Sequence, residues 1–227
     1  MLKFRVMNKI LKFLISTDWL KTIRINMHYF PLRDAIKLPI LIGKRTAINK
    51  MKGEIIFECP IKTGLLKIGY KYMGMQDHSY ERAILEVEGT IRIKGKVSFG
   101  KACKISVLLG AVLSVDDDFL CTGGSTIVCN HLIEIGKHVL MSWDVLMMDT
   151  DFHSINSFDG VKLNMDQPIQ IEDNVWIGCR STILKGTQLP HDSVLAADSL
   201  ISKCCKEPNS LYGNLGVILK REIQWSR

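Results

Sequence analysis

The chain has 227 residues, of which 47% are hydrophobic, 23% charged and 7% aromatic. One large domain with a substantial core is therefore expected, and predominant disorder is excluded. No stretch approaches the roughly 18 uncharged apolar residues that a membrane-spanning helix needs. The net charge of +7 arises in the first 60 residues, without any zinc-finger spacing or aromatic RNA-binding signature, so nucleic-acid binding is not predicted.

Two helices are predicted near the amino terminus. Leu2 to Ser16 alternates basic and apolar residues at helical spacing. Thr17 and Asp18 suit a helix cap, and a second helix is expected from Trp19 to Phe30, before a proline.

Residues 1–54 are predicted to form a basic helical segment with one of two roles. We favour a cap over the open end of the repeat that follows, because an uncovered stack exposes a sheet edge. The alternative is peripheral contact with an anionic membrane surface. The segment does not resemble a secretion signal, and seven cysteines without a CxxC pair indicate reduced thiols. A cytoplasmic location is expected, with the inner face of the membrane as the variant.

A six-residue periodicity dominates the rest of the chain. Steps of six from Val87 meet apolar residues up to Ala111, resume in the same phase at Cys129, and continue from Ile171 to Ile201. Neither a helix nor a single strand has this period, whereas short strands joined by turns do, and their coils stack into a solenoid. The two interruptions, at 117–123 and 153–165, are expected to be loops that bulge from a regular frame.

Domain bounds follow from this pattern. The first coil is expected to begin at Ile55, the repeat domain to cover 55–204 with an extruded loop at 148–168, and the tail to cover 205–227. Within the tail, the sequence GVIL predicts a strand, and a short terminal helix is expected after it.

Two segments resemble a known family. Ile171 to Lys203, IEDNVWIGCRSTILKGTQLPHDSVLAADSLISK, closely resembles the hexapeptide-repeat acyltransferases, and DTDFHSI, Asp149 to Ile155, resembles their catalytic loop. The resemblance implies a mainly β fold, a left-handed parallel β-helix with about three hexads per coil, here with an α-helical amino-terminal segment and a short tail. It also implies a homotrimer with active sites between subunits.

His153 is the predicted catalytic residue because it lies in the long interruption of the later repeat, and loops on rigid scaffolds tend to carry function. A neutral imidazole can take a proton from a sugar hydroxyl near pH 7. An ordinary solvated histidine is the alternative. Asp149 and Asp151 could orient the imidazole or contact the acceptor, or serve as turn residues that bind backbone amides. Trp143 and Asn156 are weaker candidates for lining the acceptor site, with a structural role for the tryptophan as the alternative.

The resemblance also implies a binding site for acetyl-CoA, the expected co-substrate, whose pantetheine arm would extend along the coils. The matching positions are Trp176, Gly178, Cys179, Ala197, Ser202 and Lys203. Small residues at such corners are equally expected from packing alone. Phosphate contacts are predicted for Lys203, Lys206, Lys220 and Arg221. The tail reads Asn214-Leu215-Gly216 where the family has Gly-x-Pro, so adenine contacts stay unassigned.

The expected function is an acetyl-CoA-dependent O-acetyltransferase acting on a sugar hydroxyl of a bacterial surface polysaccharide (capsule or O-antigen) or its precursor. Transfer is expected to be direct, because Cys179 has no histidine near it in sequence to activate it as a nucleophile. No metal is predicted, since His131, His138 and His153 lack the spacing of zinc-binding β-helix enzymes. A nucleotide-sugar or other small-molecule N- or O-acyltransferase, and a non-catalytic scaffold of stacked hexads, are the alternatives.

Overall fold

The computed structural model describes residues 11–70, 72 and 80–226, which form a three-sided prism of stacked coils. Sheet A contains β1 (Ile40–Ile42), β4 (Leu66–Tyr70), β7 (Val97–Lys101), β10 (Phe119–Gly123), β13 (Leu140–Met141), β16 (Trp176–Ile177), β19 (Val194–Leu195), β21 (Leu211–Tyr212) and β22 (Ile218–Lys220). Sheet B contains β2 (Thr46–Met51), β5 (Ala83–Val87), β8 (Lys104–Val107), β11 (Thr126–Cys129), β14 (Leu146–Met148), β17 (Thr182–Leu184) and β20 (Leu200–Ile201). Sheet C contains β3 (Glu54–Phe57), β6 (Thr90–Ile93), β9 (Val112–Val115), β12 (Leu132–Ile135), β15 (Ile169–Ile171) and β18 (Gln188–Leu189).

Successive strands pass from sheet A to sheet B to sheet C, so three strands make one coil. Neighbouring coils pair in parallel, and the exception is the antiparallel pair of β21 and β22 in the tail. Apolar side chains of all three sheets point inward and form one continuous core. The predicted fold class, a left-handed parallel β-helix with a helical amino-terminal segment and a short tail, is confirmed.

Helix α1 (Trp19–Tyr29) covers the open edge of sheet A. Asp18 caps the helix by accepting a hydrogen bond from the Lys21 amide at 3.1 Å, and the helix ends before Pro31, as predicted. The Asn26 side chain donates to the Ile40 carbonyl at 2.7 Å and accepts from its amide at 3.0 Å. It therefore replaces the missing neighbour strand of β1, which is what a cap must do.

A short helix, α2 (Leu32–Ala35), follows, and the chain is also helical at residues 11–16 before α1. The remainder of the first predicted helix lies outside the described residues. The coils themselves begin at β1, earlier than the predicted start at Ile55. Ile40, Leu41 and Ile42 are buried and pair with β4, so the boundary predicted after residue 54 falls inside β3.

The six-residue periodicity of the sequence matches the pairing of strands between coils only in part. Across sheet B, Ile105 pairs with Ile127, which pairs with Met147, whereas Cys129 pairs with Val107. Cys129 thus has the same six-residue phase as Ile105 in the sequence but does not lie in its column. Between Ile105 and Ile135, the turns after β8 and β11 together add the length of one hexad to the chain, so the six-residue phase returns in the sequence although the strands have moved.

The first predicted interruption is consequently not a loop, because most of 117–123 forms β10 in register with β7. The second is confirmed: β14 ends at Met148 and β15 begins at Ile169. At this corner the strands on both sides, β14 and β15, keep their pairing with neighbouring coils, so the insertion leaves the sheets undisturbed. In the tail, the predicted strand is β22, but the described residues 221–226 contain no helix.

Candidate active site

The extruded loop, residues 149–168, leaves the prism at the corner between sheets B and C. Asp149 lies at its start, fully buried, in line with the inward residues of β11. Its carboxylate accepts hydrogen bonds from the amides of Asn130 at 2.7 Å and His131 at 2.9 Å. Asp149 therefore binds backbone amides of the preceding coil, which is the turn role considered for it, and no described contact joins it to His153.

Asn164 holds the loop together from within. Its side-chain amide donates to Asp151 Oδ2 at 2.7 Å and to the His153 carbonyl at 2.8 Å, while its oxygen accepts from the Ile155 amide at 2.7 Å. One side chain thus fixes the backbone on both sides of His153.

Lys185 ties this arrangement to the coils. It follows β17 at the same corner of the prism, and its ammonium group donates to Asp151 Oδ2 at 2.6 Å and to the Asn164 carbonyl at 3.0 Å. The hydrogen bond from Lys185, followed by that from Asn164, lowers the pKa of the Asp151 carboxyl. Asp151 therefore acts in the structure as an anchor of the loop.

His153 is exposed, and no hydrogen bond of its ring is found among the described residues. Its amide donates to the Asp151 carbonyl at 2.6 Å in a tight turn. The preceding residue, Phe152, has a φ of 60°, an unfavourable value for a bulky side chain. Such strain persists only where neighbouring contacts impose it, so His153 is presented to solvent by a backbone that is held in place.

The loop also exposes a row of large apolar side chains. Ile155, Phe158, Val161, Leu163 and Met165 are each at least 58% exposed. Asn156, a predicted acceptor-site residue, forms an isolated bridge with Lys162 among them. Exposed apolar clusters of this kind mark binding or assembly surfaces.

The predicted donor residues flank the end of sheet B on both sides. Gly178, Cys179 and Ala197 lie at the corner between sheets A and B, and Ser202 and Lys203 lie at the corner where the loop emerges. The structure therefore groups only the second pair with the His153 loop.

Trp143 and Trp176 lie away from the corner where the loop emerges, in or next to sheet A. The Trp143 carbonyl accepts the Arg180 amide at the corner between sheets A and B. Trp176, in β16 and 39% exposed, donates to Ser142 Oγ at 3.0 Å and contacts the ring of Trp225.

Packing alone accounts for Gly178. A Cβ atom there would lie 2.5 Å from the Ala197 amide nitrogen and 2.7 Å from the Leu195 carbonyl oxygen. The Gly178 amide also donates to the Leu195 carbonyl. The Asp198 amide donates to the carbonyl of Cys179 in the preceding coil. Close stacking of two corners thus requires glycine here, with or without a ligand.

Among the cations predicted for phosphates, Arg221 is engaged within the chain. It binds both carboxylate oxygens of Glu207, at 2.6 and 3.2 Å, and this contact lowers the pKa of Glu207. Lys203, Lys206 and Lys220 are exposed and stay available for an anionic ligand.

Sequence reasoning missed Lys185 and Asn164. Lys185 is 34 residues from Asp151 along the chain, and neither residue belongs to a repeated pattern. The signal was indirect: a polar loop with a catalytic histidine needs partners that fix it. Among the described residues, no three His, Cys, Asp or Glu side chains are placed to hold a metal ion. Within the same residues, no helix has both the length and the apolar character to cross a membrane.

Comparisons with known proteins agree with the fold. No model of a protein family matches the chain. The polysialic acid O-acetyltransferase of Escherichia coli O1:K1 / APEC is 28% identical over 137 residues, which are 60% of this chain and 42% of that protein. The chain thus matches less than half the length of this curated relative.

Several solved structures are similar, and two of them are polysialic acid acetyltransferases. The polySia-specific acetyltransferase NeuO gives a TM-score of 0.54 at 19% identity, covering 83% of this chain and 79% of NeuO. The polysialic acid O-acetyltransferase OatWY gives 0.45 at 23% identity, covering 81% of this chain and 88% of OatWY. The NeuO match, with a TM-score above 0.5, confirms the predicted resemblance at the level of the fold, which is that of the hexapeptide-repeat acyltransferases.

Proposed function

We propose that the chain is an acetyl-CoA-dependent O-acetyltransferase whose acceptor is a hydroxyl of an acidic bacterial surface polysaccharide or its precursor. The observation that carries the proposal is the His153 loop, in which Asn164 and Lys185 hold the backbone while the imidazole stays exposed. The acidic acceptor is supported by the matching relative, a polysialic acid O-acetyltransferase.

In the proposed reaction, neutral His153 accepts the hydroxyl proton as the oxygen attacks the thioester carbonyl carbon. The carbon–sulfur bond then breaks, and the proton passes from the imidazolium to the departing thiolate of coenzyme A. No acyl-enzyme forms. The donor would lie along sheet B, with Gly178, Cys179 and Ala197 at one corner and Ser202 and Lys203 at the other.

We further propose that the protein is a cytoplasmic homotrimer with active sites between subunits. The exposed apolar side chains beside His153, among them the fully exposed Phe158, support a surface that a second copy covers. Light scattering that gives the mass of a single chain at micromolar concentration would contradict the trimer.

The test is His153→Ala, with His191→Ala at another corner as the matched control. Thiol release from acetyl-CoA in the presence of an acidic polysaccharide should fall by about 10²- to 10⁴-fold in the first variant and stay near the original rate in the control. The melting temperature should not change, because the imidazole is exposed. Unchanged release by His153→Ala would refute the assignment.

A further inference from the structure

The structure has a second region suited to a ligand, far from His153 in the fold. An open cleft of about 820 Å³ lies at the corner between sheets A and B, at the end where the coils begin. Among the described residues, its lining includes no carboxylate and five cationic side chains: Lys12, Lys44, Arg45, Lys67 and Lys101. We call this region the basic cleft.

Three neighbouring coils contribute these cations. Lys44 and Arg45 follow β1, and Lys101 ends β7, so these three residues lie at the corner between sheets A and B. Lys67 lies within β4, where it pairs with Leu41 and Ser98, and its side chain lines the cleft from the face of sheet A. Neighbouring coils are only about 4.8 Å apart, so the cleft collects positive charge from adjacent strands of one sheet.

Among the described residues, Asp18 and Glu81 are carboxylates near these cations, and both lie outside the lining of the cleft. Asp18 is near Lys44 but binds Lys21 at 2.8 Å. Glu81 lies in a smaller neighbouring cleft, beside Lys44, Arg45 and Lys101. Several like charges held on a concave surface attract a multiply charged anion more strongly than they attract a singly charged one.

Aromatic side chains are also part of the lining of the cleft. The rings of Phe13 and Tyr70 stack with centroids 6.0 Å apart and an interplanar angle of 13°, and the Tyr70 hydroxyl hydrogen-bonds Thr17 at 2.9 Å. Tyr72, 39% exposed, adds a further ring. Rigid rings with polar edges suit the apolar face of a sugar, so the cleft combines contacts for sugar rings with contacts for their carboxylates.

We propose that the basic cleft binds a segment of an acidic polysaccharide, remote from the sugar that is acetylated. This rests on the proposed function for the acceptor class. The His153 loop emerges at a different corner and in a later coil, so the cleft is not part of the catalytic site. A polymer held at both places would stay near the enzyme between transfers, because the second contact becomes intramolecular.

The experiment measures binding of polysialic acid, as a defined acidic polymer, at 0.15 M salt, where charges beyond about 8 Å are screened. The cleft variant is Lys44→Glu/Lys67→Glu/Lys101→Glu. The control is Lys62→Glu/Lys94→Glu/Lys137→Glu, with the same change of net charge on exposed lysines that do not line the cleft. We expect the cleft variant to bind at least about tenfold more weakly and the control to bind within about twofold of the original chain. Glutamine triples at the same positions serve if the glutamates impair folding.

Equal losses in the two triples, or undiminished binding by the cleft variant, would overturn the proposal. So would binding of neutral dextran as tightly as polysialic acid. Binding to anionic phosphatidylglycerol vesicles without binding to the polymer would replace it with a membrane contact. The proposed function is judged separately, by thiol release from the unsubstituted chain with a short sugar acceptor.

Discussion

Lys185 reaches Asp151 with a hydrogen bond of 2.6 Å that joins a corner of the coils to the loop carrying His153. The lysine side chain is only 17% exposed, against 39% for the aspartate. Through this contact and those of Asn164, the rigid prism can position the extruded loop.

Replacing this lysine should therefore impair transfer without unfolding the chain. In Lys185→Met the loop loses its anchor, and we expect kcat to fall by about tenfold or more, since small displacements of reacting groups are costly. Lys185→Arg, which keeps the charge, should recover part of the loss. A matched Lys137→Met substitution on the far side should leave kcat unchanged. Equal kcat for Lys185→Met and the original chain would show that the ion pair does not position His153.

The same ion pair predicts a window of pH in which the loop is stable. Lys185 lowers the pKa of Asp151 below its usual 3.8, so the pair is complete above about pH 4 and is lost as the pH falls through the lowered value. Between pH 6 and pH 9 the anchor should be constant. NMR titration should find the pKa of Asp151 higher in Lys185→Met than in the original chain; an unchanged value would exclude the contact in solution.

The parts of the molecule that sequence could predict are those that repeat. In the coil of Ile171, Ile177 and Ile183, each step of six is a step around the prism. The solenoid and the position of the extruded loop followed from this period, whereas the left-handed β-helix was implied by the family resemblance. The pattern failed at Cys129, because turns after sheet B vary in length without any cost to strand pairing. Contacts such as Lys185 with Asp151 depend on which coil lies above which, and a one-dimensional pattern does not contain that information.

A substitution at Asp149 can test whether its carboxylate takes part in catalysis or stabilises the fold. Its two oxygens accept the Asn130 and His131 amides inside the core. In Asp149→Asn one oxygen becomes an amide group that faces a backbone donor. We expect the free energy of unfolding to drop by about 1–3 kcal/mol, measured by denaturant titration, with kcat falling alongside. Asp159→Asn, at the exposed loop tip, is the control and should change neither. A lower kcat at unchanged stability would instead favour a direct role for Asp149.

A substitution at Gly178 can distinguish the two explanations for small residues at the corners, close packing and donor binding. Gly178→Ala would place a methyl group 2.5 Å from the Ala197 nitrogen, and the corners can part only by breaking the hydrogen bond from Gly178 to Leu195. Overpacking of this kind costs about 1–3 kcal/mol, so the melting temperature should fall even without acetyl-CoA. Ala197→Ser, on the exposed side of the same contact, should stay within about 0.5 kcal/mol of the original stability. If Gly178→Ala raised the KM for acetyl-CoA while its melting temperature stayed constant, the glycine would be required for donor binding, and the packing explanation would be wrong.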